Sequence, residues 1–68
     1  MSNENLSEAL PREQARCREL LSGYRSIGPA GAFGAAMIEQ ALNRADKASA
    51  AGDTVEMMRS FKELETFE

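Results

Sequence analysis

Apolar residues recur along this chain at three- and four-residue steps, in three separate runs. Leu10, Cys17, Leu20, Leu21 and Tyr24 form the first, with Ile27 at its edge, while Arg12, Arg16, Glu19 and Ser22 fall on other sides. That spacing marks one face of an α-helix and predicts a first helix over about 8–26. Two starts fit the pattern, one capped by Ser7 and one just after Leu10, and Pro11 is acceptable only near the first turn. Gly28-Pro29 ends the run. Residues 1–6 are polar and aperiodic, which predicts a flexible tail ahead of a single domain over 7–68.

The second run predicts a helix over about 30–51, with Pro29 suited to its first position. Its face has a small centre, Ala30, Gly34, Ala41, Ala45 and Ala48, with Phe33 and Met37 on one flank and Ile38 and Leu42 on the other. Such a groove admits another backbone closely, and the flanks grip it. The third run, Met57, Met58, Phe61 and Leu64, predicts a helix over about 54–66. Arg59 and Glu63 are four apart on its outer side and could pair weakly. Phe67 lies off the stripe, either folded over the core or available to a partner. Met57, Met58 and Phe61 read first as core and second as an adaptable binding surface.

The reversal between the last two helices is written into Ala50-Ala51-Gly52-Asp53-Thr54-Val55-Glu56. Gly52 can take the left-handed conformation that closes a helix. Asp53 can cap the next helix, with Glu56 placed as its capping-box acid. A turn this short folds two helices into an antiparallel hairpin. Strict alternation is absent throughout, so the expected fold class is all-α: a small three-helix domain built on that hairpin, with helix one across the small-residue face of helix two, in the same chain or in a second one.

Size adds a constraint. A chain of 68 residues supports only a small core, and domains of this size commonly add disulfides, metals or a partner chain. Cys17 is the single cysteine and there is no histidine, so an internal disulfide is excluded and the chain is expected to hold no metal and no cofactor. Good helix packing or self-association must then stabilise it, and a homodimer is one solution. The net charge is −3, from 8 basic and 11 acidic residues, which argues mildly against a surface for nucleic-acid phosphates. No apolar run is long enough to span a membrane. The polar, acidic start does not resemble a signal peptide, and a cytoplasmic location is expected.

Catalytic chemistry is hard to find. Gly28 to Gly34 looks like a phosphate-cradling loop, but Gly34-Ala35-Ala36 stands where a Walker loop needs Gly-Lys-Ser/Thr, and a helix precedes it where a dinucleotide fingerprint needs a strand. What survives is a helix start whose N–H groups could hold a carboxylate or phosphate. Cys17 sits on the apolar stripe, with Arg16 and Arg18 pointing to other faces, and reads as a small buried hydrophobe. Glu8, Glu19, Glu63, Glu65 and Glu68 look solvated. Glu13 falls on the apolar side of helix one and reads as an electrostatic cap near a helix N-terminus. The expectation is no enzyme and no catalytic residue.

The stretch Gly-Pro-Ala-Gly-Ala-Phe-Gly-Ala-Ala-Met-Ile-Glu at 28–39 and Ala-Gly-Asp at 51–53, within 11–64, resemble short helical proteins of unassigned role carried by phages and prophages of Gram-negative bacteria. That resemblance implies a helical accessory protein and carries over no functional residue. The expected function is protein–protein interaction, through apolar anchors such as Tyr24, Phe33, Met57 and Phe67, with an unknown protein or a second copy as partner. The alternative is a nucleic-acid-associated regulator using Arg12, Arg16, Arg18 and Arg25 of helix one. Against it, the second helix offers only Arg44 and Lys47, with Glu39 and Asp46 among them.

Overall fold

A computed structural model describes residues 5–68. Three α-helices form the fold: α1 Leu6–Ser26, α2 Ala32–Ala51 and α3 Thr54–Glu65, with a 3-10 turn at Gly28–Gly31 between α1 and α2. No strand occurs among the described residues. Arg18 meets Asp46 and Arg25 meets Glu39, so α1 runs antiparallel to α2. Arg44 meets Glu63, and α3 runs back along α2. The result is a small three-helix bundle measuring 38 × 28 × 15 Å.

Helix α1 starts earlier than its periodicity predicts. Asn5 is the cap: its side-chain oxygen accepts from the Glu8 N–H at 3.1 Å. The Ser7 hydroxyl donates to the same oxygen at 2.6 Å instead of capping the helix itself. Asn5 and Leu6 therefore belong to the helix start, and residues 1–4 of the expected tail lie outside the described residues. The early start has two effects. Pro11 falls in the second turn, where it removes a backbone bond to the Ser7 carbonyl but keeps its ring on the exposed side. Glu13 falls more than a turn too deep to act as an N-terminal charge.

The end of α2 and the start of α3 share a corner. Gly52 is left-handed at φ 65°. Its N–H donates to the Ser49 carbonyl and the Asp53 N–H to the Ala48 carbonyl, each at 3.1 Å, the paired bonds of a Schellman closure. The Asp53 side chain then accepts from the Glu56 N–H at 3.1 Å. One residue thus satisfies an orphan carbonyl of α2 and an orphan N–H of α3.

The core joins Leu10, Cys17 and Leu21 of α1, Ala35, Ile38, Ala41, Leu42 and Ala45 of α2, and Leu64 of α3. Alanines let α3 come close to α2, and Ser60 is buried in the groove it shares with Ala48. Helix α1 meets α2 along the other edge, where Leu21 and Leu42 line one seam. There Gln14 donates to Asp46 at 2.8 Å. Arg59 pairs with Glu56 at 2.8 Å rather than with Glu63, because Glu63 is taken by Arg44 across the helix pair. Exposed pairs of this kind contribute at most about 1 kcal/mol each.

Two glycines are required by close approach at the α1–α2 junction. A Cβ on Gly31 would lie 2.0 Å from the Tyr24 carbonyl oxygen, and one on Gly34 would lie 2.8 Å from the Tyr24 ring. The glycine-rich stretch is a packing joint.

Two substitutions test this account by urea denaturation. Asp53→Ala should cost about 1 kcal/mol through the lost cap. Gly31→Ala should cost roughly 1–3 kcal/mol because a backbone atom must move. A Gly31→Ala midpoint equal to the parent's would contradict the packing joint.

Candidate interaction surface

Helix length decides what is left uncovered. At 1.5 Å per residue, α2 is about 30 Å long and α3 about 18 Å, so the last stretch of the α1–α2 hairpin, nearest the 3-10 turn, has no third helix beside it. Phe33 is 80% exposed, Ile27 61% and Met37 42%, all at this end. Phe33 and Met37 are four apart and share a side of α2. Met37 precedes Arg44 by two turns, so that side is the one α3 covers further along. On α1, Leu20, Gly23, Tyr24 and Ile27 line a shallow hollow with Arg16 and Glu19 at its margin. The flank expected to grip a neighbour is instead largely bare.

The four anticipated anchors are distributed unevenly. Tyr24 and Phe33 are brought to the same end of the hairpin. Tyr24 is half-buried, its ring against Gly34 and its hydroxyl donating to the Glu68 carbonyl at 2.9 Å. Met57 and Phe67 are half-buried and pack against the core with Phe61. Phe67 folds back over the bundle. Met58 and Val55 are exposed on the first turns of α3, away from the hairpin end. Ile27 and Met37 join the exposed group, beyond the four anchors expected from the sequence. The signal for them was the difference in expected length between the second and third helices.

Beside the hollow, the end of α3 is held by side chains of α1. The Arg16 guanidinium donates to the Leu64 carbonyl and to the Phe67 carbonyl, each at 2.9 Å. It also grips Glu13, with Nη2 to Oε1 at 2.7 Å. These bonds add side-chain donors at the end of α3, where the Leu64 carbonyl also accepts from the Phe67 N–H at 3.2 Å. The hydrogen bond to Glu13 is the main reason the Arg16 pKa is raised. The expectation that Glu13 serves as a helix cap is therefore corrected: its partner is Arg16.

Cys17 is fully buried, and its thiol donates to the Leu64 carbonyl at 3.4 Å. Contrary to expectation, Arg16 does reach the sulfur, with Nη2 at 3.8 Å. Burial nevertheless pushes the thiol up, outweighing the Arg16 charge, which acts the other way. A buried, protonated thiol is a poor nucleophile. Among the described residues there is no group of three or more His, Cys, Asp or Glu placed to hold a metal, and no helix is long and apolar enough to cross a membrane.

The cations of α1 are engaged. Arg16 is bound to Glu13, Arg18 to Asp46 at 3.3 Å and Arg25 to Glu39 at 2.6 Å, and Arg12 is not free either. Compared with protein-family models, curated proteins and solved structures, the chain gives no match.

The thiol has a definite pH signature. Below about pH 8 it is protonated in folded and unfolded chains alike, and its stabilising contribution is complete. Above that range the unfolded chain sheds a proton that the folded chain keeps, so stability falls as pH rises towards the higher folded pKa. Urea midpoints should decline over that interval in the parent and decline less in Cys17→Ala. Arg16→Met should speed amide exchange at 66–68, and unchanged exchange there would contradict the clamp.

Proposed function

We propose that this chain is a small, non-enzymatic protein–protein interaction module that docks through the uncovered end of its α1–α2 hairpin. The observation that carries the proposal is the grouping of Ile27, Phe33 and Met37 where α3 has stopped, with Phe33 four-fifths exposed. Large apolar side chains gathered at one exposed place are the usual mark of an interaction site. The non-enzymatic reading rests on the single thiol being buried and protonated, and on the ion-paired carboxylates along the helix seams. An accessory protein of a phage or prophage acting in the bacterial cytoplasm accords with the resemblance at 28–39.

Nucleic acid is the less favoured partner. Phosphate binding needs cations to spare, and Arg16, Arg18 and Arg25 of α1 are paired with carboxylates of the same chain.

The test is retention of proteins from a Gram-negative lysate on the immobilised chain. Phe33→Asp should lose what the parent retains while keeping its helical circular dichroism, and Met58→Asp should keep it. Identical retention by the parent and Phe33→Asp would overturn the reading. Duplex DNA at low salt should give no mobility shift; a shift that weakens as salt rises would favour the nucleic-acid alternative.

A further inference from the structure

We draw no further inference here: the strongest candidate, the exposed apolar patch of Ile27, Phe33 and Met37 at the tip of the α1–α2 hairpin, carries nothing beyond the docking role already proposed, because nothing in the structure shows what covers it.

Discussion

The corner at Gly52 and Asp53 governs this fold. Through its backbone N–H, Asp53 closes α2, and through its carboxylate it opens α3. Because one residue does both, the two helices have no slack between them, and α3 must lie back along α2 from its first turn. The alanines of α2 and the buried Ser60 of α3 are the packing answer to that constraint. They bring the two backbones close where longer side chains would hold them apart.

The other end of α3 is set by α1. Arg16 and Cys17 both contribute donors to the Leu64 carbonyl, and Arg16 also holds the Phe67 carbonyl. Helix α3 is therefore tied at both ends, by its own cap at one and by side chains of α1 at the other. Its twelve residues cannot cover the full length of α2. The exposed hydrophobic end of the hairpin follows from this mismatch rather than from any unusual local sequence.

Much of this was legible in the residues. The reversal at 52–53 and the helices could be read because capping, glycine conformation and the 3.6-residue period are local effects. The start of α1 was misread because Asn5 and Ser7 are both good caps, and only the hydrogen-bond geometry separates them. The role of Arg16 was hidden because a helix wheel treats side chains as radial, while arginine reaches sideways along its stem. The pairing of Glu63 depends on which helix lies beside it, so Arg44 displaced the expected Arg59. For the candidate surface, Tyr24 and Phe33 were identifiable as large apolar residues on helix faces. Whether such residues are covered is a property of the neighbouring helix, and that is why Met57 and Phe67 lie against the core while Ile27 and Met37 do not.

The shortness of α3 bears on motion as well as on surface. Near Asp53 every helix has two others at its side, whereas at the Gly28–Gly31 tip each has one. With fewer neighbours per turn, local opening at that tip costs less than opening at the tied corner. Whatever settles on the tip must still that opening as it binds, and part of its contact energy is consumed in doing so.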